Sequence, residues 1–211
     1  HTSSVSVLTV SKGGSLIASG ETHDLQSQES GALIIWDFAT LDILYRVRFH
    51  KQMIQALSFS CDERILASVG GARDGNQLVL WNMNEGKSEV FMPASNELNQ
   101  ECTDISFYNN DPNKLISVHQ NAVKIWSFDP KTKKLNHYNC ALGKLKRFIT
   151  CVAIDNIDEH AYCGTRSGDI LEISLVKGIY SRSGPIDKKI SGTVNQVVSL
   201  HKNIYAGSSS G

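Results

Sequence analysis

Leu33-Ile34-Ile35-Trp36-Asp37 is an apolar run that closes on a Trp-Asp pair. The pattern returns as Leu78-Val79-Leu80-Trp81-Asn82 and as Val123-Lys124-Ile125-Trp126-Ser127, and these copies use all three tryptophans of the chain. The tryptophans at 36, 81 and 126 are spaced by 45 residues. Ile170-Leu171-Glu172-Ile173-Ser174 repeats the pattern 47 residues later, with Ile173 in the tryptophan's place. Self-similarity at a fixed period means one supersecondary unit used repeatedly, each copy burying its apolar face on the next.

Working outward, each copy is flanked by short runs rich in β-branched and aromatic residues, bounded by Gly, Asn, Asp and Ser, which reads as strands and turns. The first unit gives Val5–Val10, Leu16–Gly20, Gly31–Trp36 and Ile43–Val47, with a polar stretch, Glu21–Ser30, before its third strand. The second gives Ile54–Phe59, Ile65–Ser68 and Leu78–Trp81, a glycine-rich loop at 70–75 and a hairpin turn at Asn84–Lys87. The third gives Thr103–Tyr108, Lys114–Val118, Ala122–Trp126 and Lys134–Tyr138, and the fourth Thr150–Ile154, Ala161–Gly164, Asp169–Ser174 and Gly178–Arg182. A fifth begins with Val194–Leu200 and Asn203–Gly207. The expected units are residues 1–49, 50–94, 95–142, 143–187 and a partial 188–211, an all-β array with no linker.

A Trp-Asp repeat of this period resembles the WD40 family, in which each repeat supplies four strands of a β-propeller. The resemblance implies four blades and part of a fifth from a seven-bladed ring. Because the chain opens at His1 without a methionine and stops inside a repeat, the expectation is a fragment whose ring is completed by further sequence.

Composition narrows the function. Of the 211 residues, 41% are hydrophobic and 20% charged, and Lys+Arg equals Asp+Glu at 21 each. That balance argues against nucleic-acid binding, which usually carries a basic excess. The five cysteines are odd in number and lack CxxC spacing, which reads as core thiols in a reducing compartment. There is no glycosylation sequon, signal-peptide pattern or membrane-spanning apolar run, so neither a membrane partner nor a secretory route is expected.

Several residues carry potential chemistry. In the WD40 family a histidine, a second-strand Ser or Thr, a turn Asp and the Trp form a buried hydrogen-bonded network. By that resemblance His50, Ser68, Asp74 and Trp81 form one such structural network, and His1, Ser19 and Trp36 another that lacks a clear Asp. A buried polar group needs a partner, and a satisfied network rigidifies a blade. A catalytic Ser-His-Asp reading is disfavoured because the residues recur with the fold period. No catalytic residue, cofactor site or small-molecule substrate is expected. The seven histidines are scattered without HxxxH spacing or a cysteine pair, so no metal site is expected. Gly70-Gly71 and Asp74-Gly75 lie between strands and fit turns rather than a phosphate loop, which must open a helix. Two basic clusters remain: Lys131, Lys133 and Lys134 in a hairpin, and Lys144, Lys146 and Arg147 between units three and four. The second is the candidate partner-binding patch, suited to an acidic protein surface.

A narrower resemblance rests on three stretches. They are Ile17-Ala18-Ser19-Gly20 with the following insert and Ile34-Ile35-Trp36-Asp37; His50-Lys51 with Ala56-Leu57-Ser58-Phe59-Ser60 and Gly70-Gly71; and Gly143-Lys144-Leu145-Lys146-Arg147 with Gly164-Thr165-Arg166-Ser167-Gly168-Asp169-Ile170-Leu171. Together with Ser183-Gly184-Pro185 and Gly207-Ser208, they are similar to the cilia- and flagella-associated WD-repeat proteins, in the first of their two propellers. That resemblance implies a non-enzymatic scaffold of the axonemal cytoskeleton inside doublet microtubules, touching tubulin and neighbouring axonemal proteins. The alternatives are a microtubule-associated or centriolar WD-repeat protein, and a peptide-binding adaptor such as a ubiquitin-ligase substrate receptor.

Overall fold

The computed structural model describes residues 1, 3–23, 31–83, 89–93 and 101–211. The hairpin turn expected at Asn84–Lys87 and most of the Glu21–Ser30 insert lie outside them. The chain divides into two compact units, His1–Cys102 with Pro130–Leu135, and Thr103–Asp129 with Asn136–Gly211. Among the described residues there is no α-helix, only one 3-10 turn at Ala72–Asp74.

The first unit holds two four-stranded antiparallel meanders. One is β1 (Ser4–Val10), β2 (Leu16–Thr22), β3 (Ala32–Asp37) and β4 (Ile43–Arg48); the other is β5 (Ile54–Phe59), β6 (Ile65–Gly70), β7 (Leu78–Asn82) and β8 (Glu89–Pro93). Strand β2 runs on through Glu21 and Thr22, so the polar stretch begins as strand rather than loop. Strand β8 has no counterpart in the sequence reading; among the described residues it pairs only with β7, and it ends on Pro93, where an edge strand tolerates proline. The middle strands carry near-continuous apolar runs because both faces are buried: β6 is buried throughout and β3 over Ala32–Ile35, whereas the outer β4 alternates between exposed and half-buried.

The second unit holds β9 (Cys102–Phe107), β10 (Lys114–His119), β11 (Val123–Asp129) and β12 (Lys134–Asn139); then β13 (Ile149–Ile154), β14 (His160–Thr165), β15 (Ile170–Ser174) and β16 (Ile179–Gly184); then the pair β17 (Val194–Leu200) and β18 (Asn203–Ser208). Its core joins Ile116, Val118, Val123 and Ile125 of one sheet to Ile149, Val152, Cys163, Leu171 and Ile173 of the next.

Within each unit, neighbouring sheets are joined by one recurring device. The first strand of a sheet bulges at its second or third residue, as at Ser6, Gln55, Thr150 and Asn195. A bulge leaves one residue unpaired and re-aims its side chain. Ser6 Oγ donates to Ile54 O of the next sheet at 2.6 Å, sharing its proton with Gly20 O at 3.1 Å. Thr150 Oγ1 does the same to Val194 O and Gly164 O, and Thr103 Oγ1 to Ile149 O and Val118 O. Gly20 and Gly164 give room for this approach, since a Cβ at either would lie 2.6 Å from an atom of Ile54 or of Cys151 and Val194.

Turns make a second joint. Glu63, at φ 61°, accepts from the Gly13 N–H at 2.7 Å and from Ser15 Oγ. Asp158, also at φ 61°, accepts from the N–H groups of Asn109 and Asn110, each at 2.7 Å.

Candidate functional site

The Trp-Asp pair itself is structural. Asp37 Oδ1 accepts the N–H groups of Ala39 and Thr40 at 2.9 and 2.8 Å, closing the β3–β4 turn, and the Thr40 bond holds its carboxyl below the usual range. Ser174, at the equivalent place in β15, accepts from the Lys177 N–H.

Behind each tryptophan lies a buried polar cluster. Ser68 Oγ accepts the Trp81 indole N–H at 2.8 Å and lies 2.8 Å from His50 Nε2. Asp74 is not bonded to His50: its carboxylate accepts the backbone N–H groups of Lys51 and Gln52, and His50 Nδ1 has no partner among the described residues. Burial drives the His50 imidazole down to about 4, against the raising effect of the Asp74 charge. The Asp74 side chain fits beside His50 because position 70 is glycine; a Cβ there would stand 2.5 Å from His50 Nδ1 and 2.6 Å from Asp74 Cβ.

The first sheet answers the same problem with a residue that the sequence places at the start of a polar stretch and not in the network. Trp36 Nε1 donates to Ser19 Oγ at 2.7 Å, and Ser19 Oγ lies 2.6 Å from His1 Nε2. His1 Nδ1 meets Glu21 Oε1 at 2.9 Å, and Glu21 Oε2 accepts the Ala32 N–H at 3.1 Å. Glu21 is thus the acid of this cluster, reached from β2 rather than from a turn. A Ser-His-carboxylate chain resembles a nucleophile relay, but Ser19 is 2% exposed with the indole N–H on its oxygen. A nucleophile needs open space for a reacting atom beside it, and this hydroxyl has none.

The third and fourth sheets diverge. In β10 Ser117 takes the Trp126 N–H at 2.8 Å, and the histidine is His119 from the same strand, 2.9 Å away. In the fourth sheet Leu145, Cys163 and Ile173 stand at the positions of His, Ser and Trp and join one apolar cluster. Replacing every member of a polar set by apolar groups leaves nothing orphaned, so the exchange is tolerated. Burial pushes the Cys163 thiol well up, which keeps it protonated and inert.

The basic segment between β12 and β13 is not uniform. Lys144 and Lys146 are exposed and make no ion pair among the described residues. Arg147 is different: its Nε donates to Asp169 Oδ2 at 2.9 Å. Asp169 is 4% exposed and also accepts from Thr165 and Ser167, with Lys189 Nζ 3.7 Å off. Those hydroxyls and Arg147 outweigh desolvation and hold its carboxyl well below the usual range. Arg147 therefore braces the β14–β15 turn rather than standing open beside the lysines.

No protein-family model matches the chain. Over 99% of its length it superposes on the β-propeller domain of Myceliophteria thermophila Cps50 (Swd1), with a TM-score of 0.75 and 16% identity, covering 64% of that chain. The fold is that of a WD40 β-propeller. In sequence the propeller is similar to cilia- and flagella-associated protein 52 of Chlamydomonas reinhardtii, 38% identical over 185 residues, which are 88% of this chain and 29% of that protein. The human protein of the same name is 28% identical over 212 residues, all of this chain and 34% of that protein. WD repeat-containing protein 90 of Xenopus tropicalis is 25% identical over 187 residues, 10% of its length. The chain spans about a third of the length of the cilia- and flagella-associated relatives it matches. Among its described blades, no group of three or more His, Cys, Asp and Glu side chains is placed to hold a metal.

Proposed function

We propose that this chain is part of a non-enzymatic, protein-binding propeller of the ciliary or flagellar axoneme, the counterpart of the protein also called WD repeat-containing protein 16. It acts as a microtubule inner protein of doublet microtubules, touching tubulin and neighbouring axonemal proteins. The observation that carries this reading is the 38% identity to the Chlamydomonas protein over 88% of the chain, on a propeller fold. The site chemistry supports it: the buried Ser19, Ser68 and Ser117 hydroxyls are taken up by the tryptophan N–H groups, and Lys144 and Lys146 stand exposed on a loop between sheets. Of the basic segment, Lys144 and Lys146 are the residues that face a partner, while Arg147 holds the loop in place.

Tagging the full-length protein in a flagellated relative of its source tests this. The tag is expected along the axoneme. A tag confined to the cell body would overturn the reading and favour the adaptor alternative, a substrate receptor that works on soluble partners.

A further inference from the structure

The loop carrying the two open lysines borders a cleft of about 460 Å³. Its lip is a tight turn: the Leu145 N–H donates to Leu142 O at 3.2 Å around Gly143, whose φ of 62° suits glycine. Leu142 and Leu145 turn inward to pack on the core of the unit, which leaves Lys144 and Lys146 outward on either side of Leu145. The opposite wall is the β10–β11 turn with Asn121 and Ala122, and the end of β12 with Asn139. Cys140 forms part of the floor, and burial pushes its thiol up to about 11, so it is an apolar surface there and not a nucleophile. Among the described residues, no carboxylate lines the cleft.

We infer that this cleft is a docking site for an extended acidic peptide segment of a partner protein, which seats one aliphatic side chain between Ala122, Leu142 and Leu145 and sets flanking carboxylates on Lys144 and Lys146. The amides of Asn121 and Asn139 stand at the mouth to bond the peptide backbone. A polynucleotide fits less well: the chain has no basic excess, and among the described residues no aromatic side chain lines the cleft to stack a base. The inference rests on the protein-binding reading above and names the partner chemistry of one surface within it.

The test is fluorescence anisotropy on the full-length protein. The probes are a labelled short peptide of Glu and Gly with a single central Leu, the same peptide with that Leu replaced by Gly, its charge-reversed Lys version, and labelled oligo-dT of similar length. The Leu peptide is expected to bind, and its Gly version roughly tenfold more weakly or worse, because burying a leucine side chain contributes that much. K144E/K146E is expected to weaken the Leu peptide several-fold, and raised salt to narrow that difference. N139W, an exposed position at the mouth, is expected to block binding with both lysines intact. Circular dichroism melting of each variant separates lost binding from lost fold. Equal binding of the Leu and Gly peptides, equal binding of oligo-dT, or no binding by any peptide at millimolar concentration overturns the proposal. Axonemal localisation is read on the unaltered protein, so failure here leaves that reading standing.

Discussion

Replacing Ser68 by alanine acts on the atom that two buried groups share. Ser68 Oγ is 2.8 Å from both Trp81 Nε1 and His50 Nε2 in a fully buried position. The alanine leaves an indole N–H and an imidazole nitrogen without partners where water does not reach. One orphaned buried polar group costs about 1–3 kcal/mol, so the pair should cost about 3 kcal/mol. In a His50→Leu background only the indole is stranded, and the same change should cost about 1–2 kcal/mol; the difference is the coupling between the two residues. Cys163→Ala, at the equivalent place in the fourth sheet, strands nothing and should cost about 1 kcal/mol through the lost sulfur contacts alone. Urea unfolding of each variant, followed by tryptophan fluorescence and circular dichroism, gives the differences. A Ser68→Ala protein within about 0.5 kcal/mol of the parent, inside the usual range of neutral surface changes, would refute the shared-partner account. So would a cost that stays the same in the His50→Leu background.

Further expectations follow from the same geometry. His50 is held down to about 4 in the folded chain against 6.5 outside it, so its contribution is complete above pH 6.5 and lost as pH falls through about 4. At pH 5 the loss is about 2 kcal/mol. Asp104 runs the other way: burial pushes its carboxyl up to about 6 even though it accepts the N–H groups of Val152 and Ile105. Its contribution is full below pH 3.8 and fades as pH rises through about 6, so β5–β7 should lose hydrogen-exchange protection between pH 7.5 and 5 while β9 and β13 gain it; the same change in both regions contradicts the assignment. Thr103→Val removes the hydroxyl shared by Val118 O and Ile149 O and should lower the urea midpoint by the equivalent of about 1 kcal/mol. Arg147→Ala should destabilise by about 1 kcal/mol through Asp169, whereas K144E/K146E should stay within about 0.5 kcal/mol; equal effects would contradict the separation of Arg147 from the lysines.

What could be read from the chain was what repeats. The tryptophan spacing and the alternating runs carry the all-β propeller architecture, because each copy must solve the same burial problem at the same position. His50, Ser68 and Trp81 were nameable for that reason. Glu21 was not, because it opens a polar stretch that reads as loop, yet the ladder of β2 extends through it and its carboxylate folds back on His1. Of the apolar set of the fourth sheet, Ile173 was legible in the tryptophan's place, whereas Leu145 and Cys163 were hidden by their change of chemistry. One signal could have revealed them: Leu145 precedes Cys163 by the same 18 residues that separate His1 from Ser19 and His50 from Ser68. Asp74 was placed by analogy with an acid on the histidine, whereas glycine at 70 lets it turn to the Lys51 and Gln52 amides instead. Arg147 looked like its lysine neighbours because charge in a sequence says nothing about which cation finds a buried carboxylate.

Sequential extraction of axonemes that carry the tagged full-length protein tests the central claim most directly. Detergent removes membrane and soluble pools, and high salt then strips peripheral electrostatic binders, whose attraction is screened. A scaffold built into doublet microtubules stays in the salt-resistant fraction. Release of the tag with the detergent-soluble pool would contradict the account.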